Sequence, residues 1–173
     1  SSDVCSSDLL TLSSGPLATA PMAKIATVVA AVLYQHGLSW EHAEAIVAGT
    51  FLPRFGAPLS ADAIRPRGDV AGLFHRLVEA RLRLAVATTD DRGPTAETLR
   101  LLAVHEHIEY LRCGDDVGLP AKPDPGVLHE IGQRLGVAPG RIMMVGDTPG
   151  DMMMARQAGC VAVGVTGGAG RRD

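Results

Sequence analysis

The sequence predicts an α/β fold: a doubly wound parallel sheet with a small helical hairpin ahead of it. Three observations carry that expectation. From about residue 64 onward, short apolar runs alternate with stretches of helical periodicity, the pattern of βαβ units and therefore of a parallel sheet. Residues 21–55 are Ala-rich and helical in pattern, and Pro53, Gly56, Pro58 and Pro66 break the chain between the two regions. The 173 residues are 46% hydrophobic and 20% charged, which suits one domain with a small accessory piece and excludes a disordered or collagen-like chain.

Taken in order, residues 1–9 are rich in Ser and Asp, lack periodicity and read as a non-native leader. Residues 10–63 form the helical segment and 64–173 the α/β core. Ile25, Val28, Val29, Val32 and Leu33 lie on one stripe of a first helix that Gly37 stops. Ser39, followed by Glu41, His42 and Glu44, has the form of an N-cap with acidic first-turn residues, giving a second helix to about Gly49. Asp69 caps a helix carrying Val70, Leu73, Phe74, Leu77 and Val78, and residues 82–87 follow as a strand. Pro94 opens the next helix, with Leu99, Leu101 and Leu102. Residues 108–113 are a short strand, after which Asp124 and Pro125 stand as N-cap and first helical residue ahead of Val127, Leu128, Ile131 and Leu135, with Gly136 as the stop. The apolar run 142–145 suits a strand buried on both faces. Pro149 begins a helix that Gly159 ends, and residues 160–165 are a final strand.

Composition also narrows the partners. A net charge of −3 leaves no cationic field for a nucleic-acid backbone or an anionic membrane. Cys5, Cys113 and Cys160 are odd in number and widely spaced, with no CxxC pair, so neither a disulfide framework nor a zinc site is expected, and a cytoplasmic location fits. The longest apolar run, residues 25–34, falls well short of the roughly 20 residues that cross a membrane. Asp3 and Asp8, with no basic residue near them, do not make a secretory signal. Only 3% of residues are aromatic, so the core is expected to be aliphatic.

In doubly wound folds ligands sit beyond the carboxyl ends of the strands. Three groups fall there: Thr88 and Thr89 after the 82–87 strand, Lys122 in the loop after 108–113, and Asp147 after 142–145. Val145-Gly146-Asp147-Thr148-Pro149-Gly150-Asp151, followed by Ala155, Ala158 and Gly159, resembles the acidic metal-binding motif of the haloacid dehalogenase-like hydrolases. Ala121-Lys122-Pro123-Asp124-Pro125 resembles their lysine motif, and Val86-Ala87-Thr88-Thr89-Asp90 their threonine motif. The match runs from about residue 64 onward and is nearest to the phosphoglycolate-phosphatase-like branch, whose members carry a helical cap. It implies a Mg²⁺-dependent phosphomonoesterase acting on a small phosphorylated metabolite through an aspartyl-phosphate intermediate.

The residue types suit phosphoryl transfer, which depends on positioning and on neutralising charge around three equatorial oxygens. Asp147 and Asp151 flank a strand-to-helix turn, so two carboxylates can converge on one Mg²⁺; capping of the helix is the simpler task they would otherwise have. Lys122 is one of only two lysines, with Lys24, against fourteen arginines. Pro123 and Pro125 stiffen its loop and leave the ammonium as a compact cation for a phosphate oxygen, the alternative being an ordinary surface lysine. Thr88 offers a hydroxyl and the next amide offers an N–H, or Thr88 is there for strand propensity alone.

Other residues carry less. His105 and His107 lack a third ligand and read as surface imidazoles. Met143, Met144, Met152, Met153 and Met154 read as packing, and Asp115 and Asp116 as a solvated acidic turn. Gly167, Gly168 and Gly170 lack the pattern of a phosphate loop.

One part of the family's set is missing from the sequence. The nucleophile is the first Asp of a DxDxT motif on a strand between those that end here at Thr88 and Asp147. Asp3-Val4-Cys5-Ser6-Ser7 has Cys5 in place of the second carboxylate, and Asp8-Leu9-Leu10-Thr11 has the wrong spacing. The expectation is that the sequence lacks the nucleophile strand and the family's last strand and helix, and that this chain alone does not turn over phosphate esters. A 2-haloacid dehalogenase, which needs no metal, and a non-catalytic phosphate-binding module are the alternatives. The paired Asp147 and Asp151 speak against the dehalogenase.

Overall fold

A computed structural model describes residues 20–55, 60–118 and 122–166. The reading of residues 1–9 as a leader, and the glycines 167, 168 and 170, lie outside the described residues.

The helical segment opens with α1 (Met22–Gln35) and α2 (Trp40–Ile46). The turn between them uses Gly37 at φ +97°, a left-handed conformation that costs glycine little. The Ser39 hydroxyl accepts from the His42 amide at 3.3 Å, as its cap position requires. The helix does not stop near Gly49. A five-residue π-helical stretch, Val47–Phe51, carries it into α3 (Leu52–Phe55), so Pro53 lies inside a helical turn rather than at a break. In the π stretch the bonding reaches one residue further back, with the Leu52 amide donating to the Val47 carbonyl, and this altered spacing lies directly before Pro53, which has no N–H to give. Ala30, Ala43 and Val47 are buried together, and Ala26, Val29, Leu33, Phe51 and Leu52 lean on them, which gives this segment its own small core.

The second region follows the expected alternation: α4 (Val70–Glu79), β1 (Leu84–Ala87), α5 (Arg92–Leu101), β2 (Ile108–Arg112), α6 (Gly126–Leu135), β3 (Met143–Gly146), α7 (Pro149–Gln157) and β4 (Val161–Gly164). Asp69 accepts from the Gly72 amide at 2.8 Å and starts α4. β1 begins two residues later than its apolar run, because Arg81 takes a left-handed turn (φ +58°) and Leu82 stays in solvent. α5 starts two residues ahead of Pro94, a first-turn position where no amide is needed. Asp124 caps α6 by accepting from Gly126 N at 2.8 Å, and Gly136, at φ +60°, ends it.

Among the described residues the strand pairing is parallel, in two pairs: β1 with β2, from Leu84↔Ile108 to Ala87↔Arg112, and β3 with β4, from Met143↔Val161 to Gly146↔Gly164. Among the described residues no ladder joins β1 to β3. One aliphatic cluster serves both pairs: Val127, Leu128, Ile131 and Leu135 of α6 meet Met154, Ala155 and Ala158, and Ala85, Ala87, Tyr110, Met144 and Ala162 pack against them from the strands.

Two expectations are corrected here. β3 is not buried on both faces: Met143 is 62% and Val145 54% exposed, because α6 and α7 cover only the side that carries Met144. The methionines divide likewise, with Met154 fully buried in the cluster and Met143 and Met153 facing solvent. Among the described residues no helix is long and apolar enough to cross a membrane.

Candidate active site

The parallel register places the three expected groups at the carboxyl ends of their strands. Thr88 follows β1, its amide continuing the ladder to the Arg112 carbonyl at 2.9 Å. Lys122 lies between β2 and α6, and Asp147 follows β3, where Val165 N bonds the Gly146 carbonyl at 2.9 Å.

Around Asp151 the site is tightly built. Lys122 Nζ donates to Asp151 Oδ1 at 2.7 Å, with the two side chains only 15% and 4% exposed. The other carboxylate oxygen accepts from Thr148 twice, from its hydroxyl at 2.8 Å and from its amide at 3.1 Å. Thr148 in turn accepts from the Asp151 amide at 3.2 Å, which makes the pair a reciprocal capping box at the start of α7. The N-cap is therefore Thr148 and not Asp147, and Asp151 sits at the third helical position while also holding Lys122. Burial opposes ionisation of Asp151, but the Lys122 ammonium and the Thr148 donors outweigh it and hold its carboxyl below the ordinary value. Gly146 completes the packing: a Cβ there would stand 2.5 Å from the Asp151 side chain.

Thr88 is differently engaged. Its hydroxyl donates to Asp90 Oδ2 at 3.0 Å and accepts from the Asp90 amide at 3.1 Å, so its proton is committed to a carboxylate. Thr89 gives its carbonyl to a close approach with Gly114, where any side chain would collide with it. Asp91 Oδ1 receives the Met22 amide at 3.4 Å, which ties the start of α1 to the loop that carries Thr88. Asp90 entered the sequence reading only as the last residue of the threonine-motif match and Asp91 not at all, since acidic residues after a strand are common in turns. Thr148 and Asp151 did carry a signal, a hydroxyl residue and an acid three apart around Pro149.

Asp115 is exposed in a turn, as expected, but Asp116 is not simply solvated. Asp115 Oδ1 accepts from Arg92 N at 2.9 Å, and Asp116 is gripped by the Arg92 guanidinium at 2.6 Å, by Cys113 N at 2.8 Å and by Arg112 at 3.4 Å. Burial again opposes ionisation, and the Arg92 and Cys113 donors hold Asp116 below its ordinary value. Arg112, itself 6% exposed, also meets Glu130 at 3.5 Å, and Glu130 takes the Tyr110 hydroxyl at 2.7 Å. This network fixes the loop after β2, which leads toward Lys122.

Solved structures share the fold. A HAD phosphatase from Thermococcus onnurineus superposes with a TM-score of 0.62 at 21% identity, over 92% of this chain and 65% of that one. CbbY from Rhodobacter sphaeroides, in complex with phosphate, does so with a TM-score of 0.59 at 23% identity, over 79% and 60%. At such identities the likeness is one of fold: an α/β architecture of the haloacid dehalogenase type. The sequence reaches further, because the profile of haloacid dehalogenase-like hydrolases matches residues 22–159. The chain belongs to the haloacid dehalogenase-like hydrolase family. Its relatives include phosphoglycolate phosphatases from Neisseria meningitidis, 38% identical over 107 residues (61% of this chain, 45% of that protein), and from Escherichia coli K12, 33% identical over 99 residues (57% and 39%). The matched stretch spans less than half the length of these relatives.

Proposed function

We propose that this chain carries the metal- and phosphate-binding part of a phosphomonoester hydrolase that acts on a small phosphorylated metabolite. The observation that carries the reading is the buried Lys122–Asp151 pair, one turn from Asp147 at the end of β3. The phosphoglycolate phosphatases among its relatives support phosphoglycolate as a substrate of the same class.

A Mg²⁺ ion keeps several waters and needs one or two carboxylates beside the phosphate. Asp147 and Asp151 on one turn meet that demand, although among the described residues no group of three or more His, Cys, Asp or Glu gathers to hold a metal. Both Asp151 oxygens also serve Lys122 and Thr148, so the ion would share that carboxylate with them. The bound ion would neutralise charge on the phosphate oxygens. The Lys122 ammonium does the same from the protein side, and Thr88 adds a hydroxyl once it exchanges Asp90 for phosphate.

An aspartate from outside these 173 residues would attack phosphorus and release the alcohol, and water would then cleave the acyl phosphate to inorganic phosphate. The division into a cap segment (10–63) and a core (64–173) belongs to the same proposal. α1 to α3 form part of a cap that selects substrate, tied to the Thr88 loop through Asp91.

A second reading, a phosphate-binding module without turnover, is favoured by the absence of DxDxT from all 173 residues. Hydrolysis of an aryl phosphate by the purified chain tests the proposal. We expect no steady turnover; steady Mg²⁺-dependent release of phenol would overturn the claim that the nucleophile lies elsewhere. Metal-independent halide release from a 2-haloacid would overturn the phosphatase reading itself.

A further inference from the structure

We infer that Thr148 is a positioning residue which, through Asp151, fixes the Lys122 ammonium at the strand ends. The inference rests on the phosphatase reading only for the purpose of that ammonium; the clamp stands on geometry. Among the described residues Asp151 Oδ2 has two donors, and Thr148 supplies both. Oδ1 is thereby turned toward Lys122, whose Nζ it meets at 2.7 Å.

The carboxylate has nowhere else to go. Gly146 packs against its Cβ, Cγ and Oδ2, and the residue is 3% exposed, so water does not replace a lost donor cheaply. A cap alone would need only an acceptor for the Asp151 amide. The Thr148 hydroxyl also donates, in the direction that orients the acid. Helix initiation and lysine placement are thus joined in one side chain.

Capping and positioning separate experimentally. Glycine is nearly as good an N-cap as threonine, so Thr148→Gly keeps the helix start and removes the hydroxyl. Thr148→Val removes the hydroxyl at constant shape, and Thr148→Ser restores it. The chain has two lysines, and Lys24, exposed on α1, serves as the internal reference for trace acetylation read by peptide mass spectrometry. We expect the Lys122-to-Lys24 labelling ratio to rise about fivefold in Thr148→Gly and Thr148→Val, as a charge-assisted bond is loosened, and to stay at the parent value in Thr148→Ser. Circular dichroism and melting confirm that each variant is folded, and Thr148→Gly carries the test if Thr148→Val does not fold. An unchanged ratio in a folded variant lacking the hydroxyl overturns the inference. Titration of the same proteins with inorganic phosphate and Mg²⁺ reports separately: absent binding by the parent defeats the phosphatase reading and leaves the labelling result to decide the clamp.

Discussion

Lys122, in the loop between β2 and α6, and Asp151, on α7, form a largely buried ion pair 2.7 Å long between residues 29 apart in sequence. A pair of this kind is costly to break from one side, because the remaining charge is left in a poorly solvated place. Asp151→Asn is therefore expected to destabilise the fold by about 3 kcal/mol. Lys122→Met combined with Asp151→Leu should recover part of that loss, since neither charge remains. Urea denaturation of the two variants checks both statements.

The pH dependence of stability follows from the direction of the carboxyl shifts. Asp151 and Asp116 both have folded values below their ordinary ones, Asp151 through Lys122 and Thr148, Asp116 through Arg92 and Cys113 N–H, in each case against the effect of burial. The folded state thus binds fewer protons than the unfolded chain as pH approaches the carboxylate range. Their stabilisation is fully present above the ordinary carboxylate value of about 4 and is lost as pH falls through the lowered values. Melting temperature should be insensitive to these groups between pH 6 and 8, falling below about pH 4. The fall should be shallower in Asp116→Asn.

Asp90 holds the Thr88 proton and adds negative charge beside the proposed phosphate position. Asp90→Asn is expected to tighten binding of inorganic phosphate by about three- to tenfold, an exposed charge being screened. Isothermal titration with phosphate measures it, and weaker binding in the variant would show that Asp90 serves the site by orienting Thr88.

Cys113 is 3% exposed, and burial, its largest influence, raises its thiol above the ordinary value. It should resist a thiol reagent at pH 8 on the native chain and react on unfolding. Peptide mapping after labelling distinguishes it from Cys160, which is less buried.

Much of this was legible in the sequence because its signals are local. Asp69, Ser39 and Gly136 announce helix ends through chemistry confined to one turn, and each does its expected task. The placement of Thr88, Lys122 and Asp147 at strand ends followed from alternation alone. What the sequence hid is set by neighbours distant along the chain. Asp116 looks like any turn acid until Arg92 and Arg112 fold onto it. The run 142–145 reads as wholly buried, and only the packing shows that Met143 and Val145 lack cover. Pro53 looked like a break, and a π turn absorbs it.

Lys122, Asp147 and Asp151 are proposed to form one site for phosphate with a divalent cation. Calorimetric titration of the chain with inorganic phosphate, with and without Mg²⁺, tests it most directly, alongside Lys122→Met and Asp147→Asn. Binding is expected to strengthen with Mg²⁺, to fall at least about tenfold in Lys122→Met, and to lose its Mg²⁺ dependence in Asp147→Asn. Phosphate binding indifferent to both substitutions, or none in the parent chain, would contradict it.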